Sequence, residues 1–278
     1  MPNLGGPKEP RRRLLASVVN SVLMYGAPVW GNAAKTGGRQ RTLLRVQRRA
    51  ALRTIAGYCS VSLEVALALA AAPPLDLVAQ SRRALQGWKE ATPLPSRREI
   101  RAKKRQLEEW VIEAWSTRWN QLETQGSKRQ RWTRTLIKDL RGWCNRGHGD
   151  LDFHLTQVLS GHGCFNDFLF DIKRAPSPTC AHCAQEADDA GHTLFRCPEW
   201  SPQRDRLLVS LALDRDGFTP ETLVPIMLLS QMSWKAVQEF ANDIMLRKED
   251  AERERQAQGR RRAAASAEEE EVSHASGT

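Results

Sequence analysis

Apolar residues recur at helical spacing through most of the chain, and this pattern predicts a mainly α fold. The first predicted helix starts at Arg11, and its recurring apolar residues are Leu14, Leu15, Val18, Val19, Val22 and Leu23. A second helix is predicted over about residues 40–56 and ends at Gly57. Two further helices follow over about 62–72 and 76–88. No β-hairpin pattern stands out anywhere in the sequence.

Residues 92–106 predict a hinge, because Pro93 and Pro95 precede a basic run. A long amphipathic helix and a second apolar face, from about 132 to 143, follow it. Helices are also predicted over about 153–159, 165–172, 200–213 and 219–246. The chain has nine tryptophans, and those at helical spacing beside Leu and Val are interpreted as core rather than base-stacking residues. From Arg247 the low-complexity sequence predicts a charged helix that frays into disorder.

Charge is distributed unevenly. Residues 1–150 carry 28 Lys and Arg against 11 Asp and Glu, whereas residues 151–278 carry 14 against 21. The amino-terminal half is therefore strongly basic, which favours a nucleic-acid partner over a merely solvated surface. No uninterrupted apolar run of about eighteen residues is present, so we expect no membrane partner. The candidate nucleic-acid-binding residues are Arg41, Arg45, Arg48, Arg49 and Arg53 on the second helix and Arg101, Lys103, Lys104 and Arg105 in the basic run.

The spacing of Cys180, Cys183, His192 and Cys197 predicts a metal site. The four residues read C-x2-C-x8-H-x4-C, and thiolates with imidazole are the donors that zinc takes in tetrahedral sites. Four protein ligands leave no position for substrate, so the predicted Zn²⁺ is structural. The alternatives are that His182 replaces His192, or that the cysteines are ordinary. We expect no disulfides, because no signal-peptide pattern opens the sequence.

No catalytic constellation is found in the sequence. The sequence lacks the G-x-S-x-G nucleophile elbow, the P-loop and the dinucleotide-binding glycine pattern. Cys164 lies two positions from His162, but no orienting partner is apparent, and we interpret both as structural. We therefore predict no catalytic residues and no small-molecule substrate.

Several stretches together resemble the carboxy-terminal region of non-LTR (LINE-type) retrotransposon reverse transcriptase polyproteins, especially the arthropod lineages that insert into ribosomal DNA. The stretches of residues 14–30, 47–53 and 68–75 resemble the thumb, and residues 157–165 with the Cys/His cluster resemble the segment after it. The resemblance covers about residues 11–215. Ala71 departs from the pattern, because a glycine is commoner there.

The resemblance implies a surface that contacts nucleic acid, a metal-binding segment and an activity of the whole parent polyprotein. In the family the thumb packs against the template–primer duplex, so the face of Arg41, Arg45 and Arg49 becomes a candidate for contact with the nucleic-acid backbone. The CCHC segment is associated with binding RNA or DNA. The parent activity is RNA-directed DNA polymerase in target-primed reverse transcription, but the Tyr/Phe-x-Asp-Asp hairpin of its catalytic palm is missing. Asp188-Asp189 lacks the aromatic residue and flanking strands, and is not interpreted as catalytic.

These interpretations divide the chain into six predicted segments. They are disordered residues 1–10, thumb-like helices 11–91, a basic hinge with Trp-rich helices 92–150, a CCHC zinc-knuckle module 151–215, a carboxy-terminal helix 216–246 and a charged tail 247–278. The leading hypothesis is a non-catalytic fragment that binds RNA or DNA, located in the nucleus or otherwise in the cytoplasm, with the polymerase half of the same element as a further partner. The alternatives are a protein-interaction or assembly module, or a degenerate fragment without function.

Overall fold

The computed structural model describes residues 4–35 and 37–275, with side chains described as far as residue 261. Its longer helices are α1 Glu9–Leu23, α3 Gly37–Thr54, α5 Leu75–Ala91, α6 Arg97–Gln125, α11 Ser201–Leu211, α12 Pro220–Leu229 and α13 Gln231–Ala275. The shorter ones are α2 Ala27–Trp30, α4 Leu63–Leu69, α7 Lys128–Leu136, α8 Leu140–Cys144, α9 Phe153–Ser160 and α10 Asn166–Asp171. Within the described ranges the β structure amounts to one isolated bridge between Thr179 and Ala187. The predicted mainly α fold is confirmed.

The side chains of Ser96 and Glu99 cap the start of the long helix α6. Ser96 accepts a hydrogen bond from the backbone N–H of Glu99, and the Glu99 carboxylate accepts one from the backbone N–H of Ser96. This reciprocal capping box satisfies two backbone donors that the helix itself leaves without a partner. The same arrangement of Ser127 and Gln130 begins α7. The basic run predicted as a hinge is therefore helical from Arg97 onward.

Helix boundaries differ from the prediction at both ends of the chain. Helix α1 begins at Glu9, inside the stretch predicted to be disordered, because the buried Glu9 carboxylate pairs with Arg13 and accepts a hydrogen bond from the backbone N–H of Leu151. The helix predicted over 219–246 is two helices separated at Ser230. The second of these, α13, continues as helix to Ala275, through most of the tail predicted to fray. Residues 1–3 and 276–278 of the predicted disordered segments lie outside the described residues.

One hydrophobic core includes residues from the predicted thumb-like, Trp-rich and zinc-knuckle segments. Trp143 stacks on Trp234 with a centroid distance of 5.6 Å, and its indole N–H donates to the carbonyl of Ala68 at 2.8 Å. These contacts join α4, α8 and α13. The interpretation of tryptophans as core residues is confirmed for the five that are at most 2% exposed, which are Trp115, Trp119, Trp143, Trp200 and Trp234.

Ala71 has a left-handed backbone conformation with φ of 49°. A Cβ atom makes this region costly, and glycine adopts it at no steric cost. The structure thus supplies the physical reason for a glycine at the position where the sequence departs from the pattern it resembles.

We expect Gly149→Ala to destabilise the fold by about 1–3 kcal/mol, because the new methyl group would overlap a packed indole ring. Gly149 has φ of 88°, and a Cβ at this position would lie 2.2 Å from Cδ2 of the fully buried Trp234. Urea unfolding of the variant would measure the loss. Gly147→Ala is the matched control, since a Cβ at Gly147 meets no atom within 4 Å. Equal free energies of unfolding for the two variants would contradict the predicted clash.

Among the described residues no single helix is long and apolar enough to cross a membrane. The pair Glu9–Leu23 and Ala27–Lys35 passes the length and composition test together, with a bend of 58° between the two parts.

Candidate metal centre

The structure brings the predicted ligands Cys180, Cys183, His192 and Cys197 together. One donor atom from each lies within 4.8 Å of the other three. The Sγ atoms of Cys180 and Cys197 are 3.9 Å apart, and Sγ of Cys183 lies 3.3 Å from Nε2 of His192. Among the described residues this is the group of His, Cys, Asp or Glu side chains with the geometry to hold a metal ion. Three thiols and one imidazole nitrogen form a donor set compatible with zinc.

A tight turn positions the first two ligands. The backbone N–H of Cys180 donates to the carbonyl of Glu186 at 2.8 Å, and the N–H of Ala184 donates to the carbonyl of Cys180 at 2.9 Å. Ala184 takes a left-handed conformation with φ of 57°, which closes the turn. This geometry directs the thiols of Cys180 and Cys183 to the same side, as a C-x2-C pair requires.

A single wide turn positions the other two ligands. Asp189 begins it, because its carboxylate accepts a hydrogen bond from the backbone N–H of His192 at 2.7 Å. Residues His192–Arg196 then form one turn of π-helix. The N–H of Cys197 donates to the carbonyl of His192 five residues earlier, at 2.8 Å. The five-residue spacing therefore returns Cys197 to the side of the chain where His192 lies.

Two charged side chains fix the orientation of the His192 ring. The Nδ1 atom of His192 lies 3.3 Å from Oε2 of Glu186, and the same oxygen accepts a hydrogen bond from Nε of Arg196 at 2.9 Å. The hydrogen bond from Arg196 lowers the pKa of Glu186 below its usual value. A carboxylate at Nδ1 favours the tautomer that leaves the Nε2 lone pair free for a metal, an arrangement common around metal-binding histidines.

The thiols of the cluster need a cation if all three are to be ionised. Burial raises the pKa of Cys197 to about 12, and burial also raises that of Cys180. Burial acts to raise the pKa of Cys183 as well, but backbone N–H groups of Gln185 and Glu186 bring it below its usual value. A divalent ion that binds thiolates supplies the missing charge, so the residues present fit a metal.

The alternative ligand His182 is not among the residues whose donor atoms meet in the cluster. Its ring packs edge-on against Trp200, with a centroid distance of 4.8 Å. His162, in the preceding glycine-histidine-glycine turn, lies 2.9 Å from the carbonyl of Ser160 through Nδ1 and packs on Phe168. The histidine that joins the thiols is His192.

A buried ion pair beneath the metal cluster was not predicted from the sequence. The ammonium group of Lys248, on α13, lies 2.7 and 2.8 Å from the two carboxylate oxygens of Asp188. Both residues are 2% exposed. Asp188 also accepts hydrogen bonds from the backbone N–H of Asn166 at 2.9 Å and from the hydroxyl of Thr193 at 3.0 Å. The pair therefore attaches α13 to the loop between the two halves of the ligand set, across a sequence separation of 60 residues.

The predicted nucleic-acid-binding residues on α3 do not share one environment. Arg41, Arg45, Arg49 and Arg53 are exposed at four-residue intervals. Arg48 is half-buried, and its guanidinium donates to the carbonyl of Val61 at 3.0 Å and to that of Cys59. Its hydrogen-bonding groups are occupied by the turn after α3, because a planar fork suits two nearby carbonyls. We therefore leave Arg48 out of the candidate phosphate-binding set.

The basic residues at the start of α6 are separate from the α3 row. Arg101, Lys104 and Arg105 are exposed, whereas Lys103 is half-buried and donates to Gln106 at 2.9 Å. The middle of α6 borders a cavity of about 430 Å³ together with Arg41 of α3. The basic residues at the start of α6 lie about 20 Å away from this cavity along the helix axis. The two groups are therefore candidates for contacts with different parts of an extended ligand.

The chain is similar in sequence to polyproteins of arthropod retrotransposons. The chain is 27% identical over 252 residues to the 115 kDa protein in the type-1 retrotransposable element R1DM of Drosophila melanogaster. It is 26% identical over 193 residues to the Pol polyprotein from the R1 element of Bradysia coprophila, and 26% identical over 175 residues to one from Nasonia vitripennis. The chain is similar to the R1-type retrotransposon polyproteins of arthropods. The resemblance seen in the sequence is confirmed at this level.

These matches cover most of the chain but a smaller share of each R1-type relative. The Drosophila match covers 86% of the chain but 23% of the relative, and the Bradysia match covers 66% and 19%. The Nasonia match covers 60% of the chain and 50% of the relative. The chain thus spans about a quarter of the length of the first of these relatives. No family profile matches the chain, and no solved structure matches it.

Proposed function

We propose that the chain is a non-catalytic, nucleic-acid-binding part of an R1-type retrotransposon polyprotein, in which zinc keeps the carboxy-terminal module folded. The observation that carries the proposal is the row of exposed arginines on α3, namely Arg41, Arg45, Arg49 and Arg53. The proposed binding of zinc rests on the donor set and on the Glu186 carboxylate at Nδ1 of His192. The proposed site of action is the nucleus, where RNA-directed DNA polymerase activity of the whole polyprotein in target-primed reverse transcription would take place.

The geometry of the arginine row suits a phosphate backbone. From Arg41 to Arg53 the row extends about 18 Å along the helix axis, because each residue rises 1.5 Å. That length corresponds to about five base pairs of duplex. Guanidinium groups bind phosphate oxygens in pairs and remain charged at every relevant pH. The row would therefore contact several phosphates without reading bases, which gives affinity with little sequence preference.

Filter binding to duplex DNA and to RNA over a salt series tests this proposal. If about six phosphates are neutralised on the duplex, log K should fall with log salt at a slope near −5. The variant with Arg41→Ala, Arg45→Ala and Arg49→Ala should bind more weakly and reduce the magnitude of the slope by about 2.7, the value for three phosphates.

The matched control replaces two exposed arginines in the acidic half, Arg206→Ala and Arg215→Ala. Both side chains pair with neighbouring carboxylates, so the slope of this variant should equal that of the unchanged chain. Binding that is absent at a salt concentration of about 50 mM would refute nucleic-acid binding. A slope that the triple substitution leaves unchanged would refute the assignment of the α3 row.

A further inference from the structure

Helix α1 directs most of its apolar side chains outward. Five of its six recurring apolar residues form one exposed stripe, whereas Leu23 packs on the small core cluster around Met24, and two more exposed residues follow beyond the helix end. The fractional exposures are 66% for Leu14, 51% for Leu15, 56% for Val18, 38% for Val19, 71% for Val22, 88% for Tyr25 and 83% for Val29. We call these seven residues the α1 face. The helical period that predicts α1 ordinarily marks the side of a helix that packs on a core.

The rotation of α1 is fixed by polar contacts to the rest of the protein, and two of the residues that make them are buried. Arg12 is 5% exposed, and its guanidinium donates to the carbonyls of Pro7 at 2.5 Å and Arg53 at 3.2 Å. Arg13 donates to the carbonyl of Ala70 at 3.1 Å. Glu9 is 3% exposed and accepts a hydrogen bond from the backbone N–H of Leu151. Because these bonds fix the rotation of α1, the apolar stripe cannot turn inward without leaving buried charges unpaired.

The chemistry of the α1 face suits a protein surface better than nucleic acid. Leu and Val side chains offer no donor for a phosphate oxygen, which is the group that dominates nucleic-acid contacts. Exposed apolar patches rimmed by polar residues mark interaction sites in soluble proteins. A helix that binds at a membrane surface carries basic residues on its water-facing side. In α1 that side is instead packed against the protein through Arg12 and Glu9.

We propose that the α1 face is covered by a protein surface in the part of the R1-type polyprotein that this chain does not span. The Drosophila relative contains this chain's counterpart within 23% of its length, so a large remainder is available to supply an apolar partner surface. Residues 14–30, one of the stretches that carry the sequence resemblance, include the whole face, although its side chains are largely exposed and contribute little to the core of this chain. The inference rests on the proposed membership of an R1-type polyprotein, but not on nucleic-acid binding.

Site-specific thiol labelling tests the proposal. Val18→Cys places a reactive group on the α1 face, and Val209→Cys places one on α11, where Val209 is 83% exposed. Labelling by N-ethylmaleimide, resolved by peptide mass, is measured in this chain alone and in a chimera. The chimera is the Drosophila 115 kDa protein with its matching segment replaced by this chain. Labelling at Val18→Cys should slow at least about tenfold in the chimera, since exposure governs thiol reaction rates, while labelling at Val209→Cys stays unchanged.

A second set of substitutions identifies the cause of any protection. Leu14→Glu with Val22→Glu, added to the Val18→Cys chimera, should restore fast labelling, because two carboxylates would have to be desolvated in the interface. Equal labelling rates for Val18→Cys in the chain alone and in a helical chimera would overturn the proposal. Protection in the chain alone that grows with its concentration would overturn it in favour of a second copy. Protection that requires phosphatidylcholine–phosphatidylserine vesicles would overturn it in favour of a lipid surface.

Discussion

Freshly purified protein is expected to contain one zinc ion per chain, and the double substitution Cys180→Ser with Cys183→Ser is expected to remove it. The two thiols are half of the ligand set, and the remaining His192 and Cys197 cannot form a tetrahedral site alone. Zinc contributes on the order of 10 kcal/mol to the folding of small zinc modules. Metal analysis by mass spectrometry gives the stoichiometry, and thermal unfolding with and without a chelator gives the effect on stability.

The control for this prediction is Cys59→Ser, because Cys59 is exposed and lies outside the cluster. This variant should keep its zinc and its melting temperature. Thiol titration adds a kinetic check: in the metal-loaded protein Cys59 should react quickly, whereas the three cluster thiols should react after a chelator is added. The absence of stoichiometric zinc from fresh protein, or zinc retained by the double variant, would contradict the assignment.

Sequence spacing predicts only part of the geometry of the ligand set. A C-x2-C pair can close only a tight turn, so the proximity of Cys180 and Cys183 follows from the sequence. The choice between His182 and His192 depends on the edge-on packing of His182 against Trp200, which spacing alone does not determine. The contribution of Glu186 was missed, since a single glutamate in a polar loop carries no pattern. Its role arises from the turn that brings it to Nδ1 of His192.

Helix α1 shows what hydrophobic periodicity alone does not predict. The apolar period at Leu14, Val18 and Val22 predicts the helix, and the helix is present. Periodicity does not reveal which molecule the apolar side contacts, and here Arg12 and Glu9 occupy the inner side. The arginines of α3 behave similarly: a helical count places Arg48 near the row, but the carbonyls of Cys59 and Val61 bind its guanidinium. Long-range partners of this kind arise from tertiary packing, not from local sequence.

The buried pair of Lys248 and Asp188 is expected to link the stability of the CCHC zinc-knuckle module to α13. Lys248→Met should lower the free energy of unfolding by about 3–5 kcal/mol, because it leaves the buried Asp188 carboxylate without its cation. The same change should speed zinc loss to a chelator, since Asp188 also orders the loop through Asn166 and Thr193. Urea unfolding and the rate of zinc transfer to a colorimetric chelator measure the two effects.

Two further variants separate the buried charge from other effects of the substitution. Arg253→Met removes an exposed cation from the same helix: Arg253 is 64% exposed, its partner Asp250 is equally exposed, and its other partner Glu249 keeps the hydrogen bond from Gln157. This change should alter stability by less than about 0.5 kcal/mol. The double variant Lys248→Met with Asp188→Asn removes both charges. It should lose less stability than the sum of its single variants, because neither charge remains buried alone. If Lys248→Met resembles Arg253→Met in both measurements, α13 does not stabilise the CCHC zinc-knuckle module through this pair. Additive losses in the double variant would show instead that the two side chains act independently.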